Sequence, residues 1–340
     1  YPSITLFAGL AVALVLWRGG SLVMQEVISL GDFVAFTGYL ALLMWPMAAL
    51  GWTISLFQRG AASWERIGAL LNEPAEPYDA GGARPDGSGR VVFEDVRLRK
   101  GEREVLRGID LDLRPGEITA LVGPTGGGKS SLLRLITRLD APSTGTIRLD
   151  GVPLEEWDLP ALRAALSYVP QESFLFSESI ERNVQMGQPG ATADHVREAA
   201  DLAALTDEIE SFREGFDAVV GERGVTLSGG QRQRTTLARA LLRDCRVLVL
   251  DDAFSNMDTR TEEQILGSLR REISGRTVVL VSHRLSTIRR ADRILYLDDG
   301  RILETGSHAD LVAAGGHYAR FVRRQRLLEQ LQDDESESAA

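Results

Sequence analysis

The chain has 340 residues, room for two domains at the usual ~100–200 residues each. It is 44% hydrophobic and 25% charged with a formal net charge of −10, a balance that excludes the basic footprint of a nucleic-acid-binding protein. One cysteine, Cys245, excludes an internal disulfide and reads as a reduced structural thiol, as in a cytosolic compartment.

The chain opens "YPSITLF", without an initiator Met, as a fragment or a processed product would. Pro2 to Trp17 carries no charge, and past Arg18 the apolar character continues to Met24. Phe33 to Phe57 is a run of 25 residues without a charge. A bilayer core takes ~20 apolar residues as helix, so both runs are read as membrane-spanning. A signal peptide is the weaker reading, because no basic region precedes the first run and a longer run follows it. The short break "QEVISLGD" makes the pair a hairpin, and Arg59 and Arg66 put the far end on the cytosolic side. Tyr39, Trp45 and Trp52 read as interface aromatics, Pro46 as part of helix packing, and Arg18 as a snorkelling side chain or a cavity cation. Two helices make a poor pathway, so further membrane helices upstream, a partner chain, or both are expected. Residues 1–66 are assigned to the membrane helices and a cytosolic extension. Residues 67–90, rich in proline and glycine from position 73, are assigned to a linker.

From Val91 the pattern becomes strands alternating with helices. "EITALVG" reads as a buried strand, "GPTGGGKSS" as a loop, and "SLLRLITRL" as an apolar-periodic helix. The loop residues Gly123, Pro124, Thr125, Gly126, Gly127, Gly128, Lys129, Ser130 and Ser131 satisfy glycine-x4-Gly-Lys-Ser in the strand–loop–helix context that makes the motif specific. Glycines let backbone N–H groups turn toward phosphate oxygens, and the helix N-terminus adds partial positive charge. Lys129 reaches the terminal phosphates and the Ser130 hydroxyl ligates magnesium. The chain has 38 basic residues and only two lysines, Lys100 and Lys129, so the phosphate position keeps a compact ammonium in an arginine-biased sequence. A second buried strand, Val247 to Leu250, runs into Asp251 and Asp252. In one parallel sheet with the first strand, it would deliver Asp251 beside Ser130, at the magnesium.

Three further segments narrow the class: "YVPQES" with Gln171, "LSGGQRQR" from Leu227 to Arg234, and "VLVSHR" with His283. In this order, downstream of the Lys129 loop, they resemble the ATP-binding-cassette family over essentially all of 91–315. With membrane helices ahead and "VGERG" just before the signature, the chain resembles an ABC exporter half-transporter that begins near the fifth of six membrane helices. The fold implied is a transmembrane helical segment, two helices of six, followed by an α/β P-loop cassette domain with a mixed sheet and a helical signature subdomain.

The resemblance implies roles for these positions. Gln171 would sense magnesium and the attacking water beside the joint with the membrane domain. Leu227, Ser228, Gly229, Gly230 and Gln231 would face the γ-phosphate of a nucleotide held by a partner subunit. Asp258 would sit in the loop crossing between two sites, His283 would hydrogen-bond the γ-phosphate, and Glu222 would touch the cytosolic helices. ATP and Mg2+ are the implied cofactors. The implied partners are a second half-transporter, membrane lipid and a transported small molecule, lipid or peptide. The implied place is a cell inner membrane, multi-pass, with the nucleotide-binding domain cytosolic. The arginine-for-lysine usage points to a GC-rich, bacterial genome.

Two departures matter more than the matches. Active family members carry Glu after the magnesium Asp, where this chain has Asp252. One methylene less withdraws the carboxylate by ~1.5 Å, and a misplacement of ~1 Å can cost on the order of 10²-fold in rate. At the position of the adenine-stacking aromatic stands Lys100, and no aromatic lies between Phe93 and Trp157. Lys100 offers at best a cation over the base. Together they suggest the degenerate-site subunit of a heterodimeric exporter, whose signature completes the sister's site. A homodimeric exporter with a slow site, a regulatory ATP-binding module and a soluble DNA-repair ATPase are the other readings. The last is opposed by Phe33–Phe57. In the tail, 316–340, Tyr318, Phe321, Leu328 and Leu331 share one helical face, and "DDESESAA" reads as an acidic, irregular end. That face packs on its own domain or on a partner's tail.

Overall fold

A computed structural model of the chain describes residues 2–73, 82–221, 227–272 and 275–338. Two compact units, Tyr1–Pro77 and Tyr78–Ala340, divide the chain.

The first unit is a helical hairpin, Pro2–Met24 and Leu30–Leu71. Ser29 starts the second helix through a capping box: its hydroxyl accepts from Asp32 N–H at 3.1 Å, and the Asp32 carboxylate accepts from Ser29 N–H at 3.3 Å. Gly19 lets the two helices approach, since a Cβ there would lie 2.6 Å from the Phe33 ring. At 1.5 Å per residue the 42-residue second helix is ~63 Å long, about twice the ~30 Å hydrocarbon core of a bilayer. Among the described residues it is the one helix long and apolar enough to cross a membrane. The described apolar part of the first, Gly9–Met24, is shorter than that measure. The second helix also runs to Leu71, over the first five residues of the expected linker, and ends where Asn72 N–H returns to the Gly68 carbonyl at 2.9 Å. Its sequence to that point offers no Gly-Pro break; the first proline after Pro46 is Pro74.

The second unit holds two sheets. Strands β1 (Val91–Lys100), β2 (Arg103–Leu113), β4 (Thr144–Leu149) and β5 (Val152–Pro153) form an antiparallel sheet in the order β2-β1-β4-β5. Strands β3 (Ile118–Val122), β6 (Leu166–Val169), β7 (Val247–Asp251), β8 (Thr277–Val281), β9 (Arg293–Asp298) and β10 (Arg301–Gly306) form the second, in the order β10-β9-β3-β8-β7-β6. Its first five strands in chain order are parallel, and β10 runs antiparallel to β9. The sheet is mixed, as the resemblance implied.

The central strands β3, β7 and β8 are buried throughout and mostly apolar because both faces are covered. Leu121, Val247, Val249 and Val279 point into a core shared with the antiparallel sheet and the helix Lys129–Ile136. Their alternates Ala120, Val122, Leu248, Leu250 and Leu280 face a second core. That core includes Val184, Val196 and Leu237 from the helices Ile180–Gln185, Ala193–Leu202 and Gly229–Leu241, all inserted between β6 and β7. These helices are the signature subdomain.

The chain ends in the helix His317–Ser338. Tyr318 is fully buried and Val322 nearly so, and Phe321 packs on the same core, so the first turns dock on their own domain. Leu328 is 44% exposed, and the Leu331 side chain lies outside the described residues. The acidic run expected to be irregular is helical to Ser338; it contains no Gly or Pro to stop the helix.

Candidate active site

Four parallel strands end on one edge, and the candidate residues follow them. β3 leads into Gly123, β8 into Ser282 and His283, β7 ends at Asp251, and β6 leads through Pro170 to Gln171. The carboxyl edge of a parallel sheet is where open α/β folds receive ligands. Strand β8 lies between β3 and β7, so His283 emerges between the phosphate loop and the paired acids.

The loop Gly123–Gly128 turns through backbone conformations that only glycine adopts freely. Gly123, Gly126 and Gly128 have φ of +145°, +81° and +105°. A Cβ on Gly123 would sit 1.9 Å from the Leu297 carbonyl oxygen, so this position excludes any side chain. The helix that follows, Lys129–Ile136, has Gly128 as its N-cap and no side-chain cap, which leaves its first N–H groups to the loop's interior. Lys129 is 7% exposed and its ammonium donates to the carbonyls of Gly123 and Pro124, each at 2.8 Å. Burial pushes its pKa down, against the charges of Asp251, Asp252 and Asp298.

Asp251 stands beside Ser130, whose hydroxyl donates to Oδ1 at 3.3 Å, while Tyr168 Oη donates to Oδ2 at 3.2 Å. Burial raises the Asp251 pKa, and the two donors oppose that rise. Tyr168 is raised as well, first by burial and then by the Asp251 charge, so its proton stays on. A hydroxyl and a carboxylate at this spacing are hard oxygen donors that fit one magnesium ion completed by phosphate oxygens and water. Asp252 follows in the left-handed region at φ +52°, with its N–H donating to the Val281 carbonyl at 3.1 Å. Burial raises its pKa and the neighbouring His283 opposes it. His283 lines an open cleft of about 510 Å3 with Gly123, Pro124 and Thr125. Gln171 is exposed at the end of the strand that carries Tyr168.

The signature forms a separate feature. Ser228 caps the helix Gly229–Leu241 in a capping box with Gln231: Gln231 N–H reaches the Ser228 hydroxyl at 3.2 Å, and Ser228 N–H reaches Gln231 Oε1 at 2.9 Å. Leu227 is buried at its foot. Ser228, Gly229 and Gly230 line a second cleft of about 450 Å3 with Asp258, and this cleft shares no lining residue with the first. Asp258 Oδ1 accepts from Thr261 N–H at 2.9 Å, which holds its carboxyl below the usual range. Glu222 lies outside the described residues.

Lys100 ends β1 and its ammonium is 2.9 Å from Asp140, which Arg134 grips with two nitrogens at 2.9 and 3.1 Å. Asp140 is the partner that sequence reasoning missed, along with Tyr168, Gln233 and Glu208. Glu208 accepts from Gln231 at 3.0 Å and from Arg234 at 2.7 Å. Tyr168 and Gln233 fall inside the quoted segments "YVPQES" and "LSGGQRQR", which was the only signal available for either.

Residues 106–255 match the family described as ABC transporter. The chain is 39% identical over 334 residues to the multidrug resistance-like ATP-binding protein MdlA of Escherichia coli (strain K12), covering 98% of this chain and 57% of that one. It is 41% identical over 338 residues to the ATP-dependent lipid A-core flippase of Chromohalobacter salexigens, covering 99% and 57%. Among solved structures, a bacterial Atm1-family ABC exporter with ATP bound resembles it with a TM-score of 0.74 at 36% identity, over 95% of this chain and 57% of that one. The chain thus spans little more than half the length of these relatives. A match that runs through the phosphate loop, the signature and the paired acids, on a mixed sheet behind a helical segment, makes the second unit an ATP-binding domain of the ABC transporter family.

Proposed function

We propose that this chain is part of a subunit of an ATP-driven membrane exporter. Its helical hairpin, through Leu71, supplies membrane helices and a cytosolic extension. The chain beyond Leu71 links it to the nucleotide-binding domain of 91–315, and 316–340 form the tail. The observation that carries the reading is that one domain opens its phosphate loop and its signature into two separate clefts. Each cleft is half of a nucleotide site, so a second cassette domain must close both.

In this reading Gly123–Ser131 would cradle the phosphates of ATP, and Ser130, Asp251 and Gln171 would hold Mg2+, which would supply neutralising charge at the phosphates. Water attacks the γ-phosphorus as the bond to the bridging oxygen breaks, ADP leaves, and the water's proton passes to the polarising carboxylate. His283 steadies the γ-phosphate from the cleft wall. Asp252 is the carboxylate available for that proton here, and it is one methylene short of Glu. The chain's own site therefore binds ATP and turns it over slowly, while Leu227–Gln231 and Asp258 complete a fast site on a sister subunit. The pairing is heterodimeric, the membrane a bacterial inner membrane, and the cargo a small molecule, lipid or peptide; the lipid A-core flippase and MdlA names among relatives support an amphipathic one.

The test uses the full-length protein with the subunit that co-purifies. ATP turnover is measured after changing the sister's catalytic Glu to Gln, and separately after Asp252→Asn. The first change should abolish turnover and the second should leave most of it. The opposite result reverses the assignment, and robust turnover by this subunit purified alone favours a homodimer.

A further inference from the structure

The signature helix presents two glutamines in different directions. Gln231 closes the capping box, and Gln233 lies ~200° further round the helix, fully buried at 0% exposure. Its Nε2 donates to the Asp252 carbonyl at 3.1 Å and to the Ser255 hydroxyl at 2.9 Å, and its Oε1 accepts from Asn256 N–H at 2.9 Å. Both protons of one buried amide and its oxygen are thus committed to the stretch Asp252–Asn256. The same stretch presses on the start of the helix, where a Cβ on Gly230 would lie 2.9 Å from the Asn256 carbonyl oxygen.

Asp252 needs such a hold. A non-glycine residue at φ +52° is uncommon and keeps that conformation only when its surroundings impose it. Its backbone is clamped from two sides, by Val281 at the end of β8 and by Gln233 from the signature helix. Two residues beyond Asn256, Asp258 caps the next helix and lines the signature cleft with Ser228, Gly229 and Gly230.

We infer that Gln233 is a positioning residue that joins the signature helix and the stretch Asp252–Asp258 into one body, so that a phosphate drawn to the signature fixes the carboxylate of this chain's own site. The inference rests on the exporter reading, in which that phosphate is the terminal one of a nucleoside triphosphate held by the sister subunit. A glutamine suits the task because it alone supplies two donors and one acceptor at this length. An apolar side chain of similar length would take the partner from Asn256 N–H and leave the Asp252 carbonyl with only the longer bond from Ser255 N–H at 3.3 Å. A carboxylate would keep the bond from Asn256 and set negative charge against the Asp252 carbonyl.

The experiment uses the full-length pair in membranes, with Gln233→Met, Gln233→Glu and Ser255→Ala. Three quantities are read for ATP bound to this subunit: the single-turnover rate of hydrolysis, the affinity for ATP, and photolabelling of this chain by azido-ATP. Gln233→Met should lower the single-turnover rate about tenfold, since a ~1 Å displacement of the Asp252 carboxylate suffices for more than that, with affinity and photolabelling within twofold. Gln233→Glu should recover part of the loss, and Ser255→Ala should lower the rate about threefold. An unchanged rate in Gln233→Met overturns the inference, as does a loss of affinity and photolabelling in step with the rate. If Gln233→Met fails to accumulate, Ser255→Ala decides alone, and an unchanged rate there is fatal. Steady-state turnover of the pair with Asp252→Asn keeps the two readings apart: if it is abolished, the slow-site assignment falls, while the split between rate and affinity at Gln233 is still read.

Discussion

The hydroxyl of Tyr168 donates to Asp251 at 3.2 Å, from the strand whose end carries Gln171. Asp251 is 3% exposed, so each bond it accepts offsets part of the cost of a buried carboxylate. The tyrosine therefore orients the carboxylate that the Ser130 side chain meets from the other side. Tyr168→Phe keeps the ring and removes the donor. Loss of a hydrogen bond to a metal-binding carboxylate typically weakens metal affinity by ~10–100-fold. Titrating magnesium against nucleotide binding should show a shift of about tenfold, with nucleotide affinity at saturating magnesium unchanged. An unshifted titration would mean that Asp251 does not touch the ion.

Gly123 makes the sharpest steric prediction. Gly123→Ala would place a methyl carbon 1.9 Å from the Leu297 carbonyl oxygen at φ +145°. The loop has to move, at a cost of ~1–3 kcal/mol for the backbone conformation alone. Denaturant unfolding should show that loss, and nucleotide binding should fall by at least tenfold. Gly126→Ala meets no atom within 4 Å and has only its φ of +81° against it, so its effect should be smaller.

These contrasts also mark what the sequence could tell. The phosphate loop, the signature and the Asp251–Asp252 pair were legible because their chemistry is local: glycines, a lysine and acids at fixed spacing beside an apolar strand. Tyr168 and Gln233 were visible as letters but not as partners. Tyr168 reaches Asp251 across 83 positions and Gln233 reaches Asp252 across 19, and no helical or strand period encodes either contact. The sheet was readable from strands apolar on both faces. The helical end of the tail was not, because a run of acids and serines signals solvation without saying whether a helix precedes it closely enough to continue.

The pair of Lys100 and Arg134 on Asp140 carries a pH prediction. Arg134 foremost, then Lys100, holds the Asp140 carboxyl down at about 2 from 3.8. A depressed folded pKa gives stability that is fully present above ~4 and is lost as pH falls toward 2. The wild type should thus be more stable than Asp140→Asn at neutral pH, and the two should converge between pH ~4 and ~2. Lys100 is half exposed, so the difference should stay within about 1 kcal/mol. Acid titrations followed by circular dichroism measure it; a gap that persists below pH 2 would show that Asp140 acts by packing and not by charge.

Asp252→Glu tests the argument about reach directly. Glu keeps the charge of Asp252, and although it enters the left-handed region less readily than Asp, the backbone at φ +52° is clamped by Val281 and Gln233. The added methylene restores ~1.5 Å while leaving the loop, Lys129 and Ser130 as they are. If hydrolysis at this site is limited by the distance from carboxylate to water, single-turnover hydrolysis of ATP bound to this subunit should rise by up to ~10²-fold. Nucleotide affinity should stay within about twofold, because the phosphate contacts do not change. A rate unchanged by the longer side chain would mean that carboxylate length does not limit hydrolysis at this site, and the proposed slow-site reading would fall.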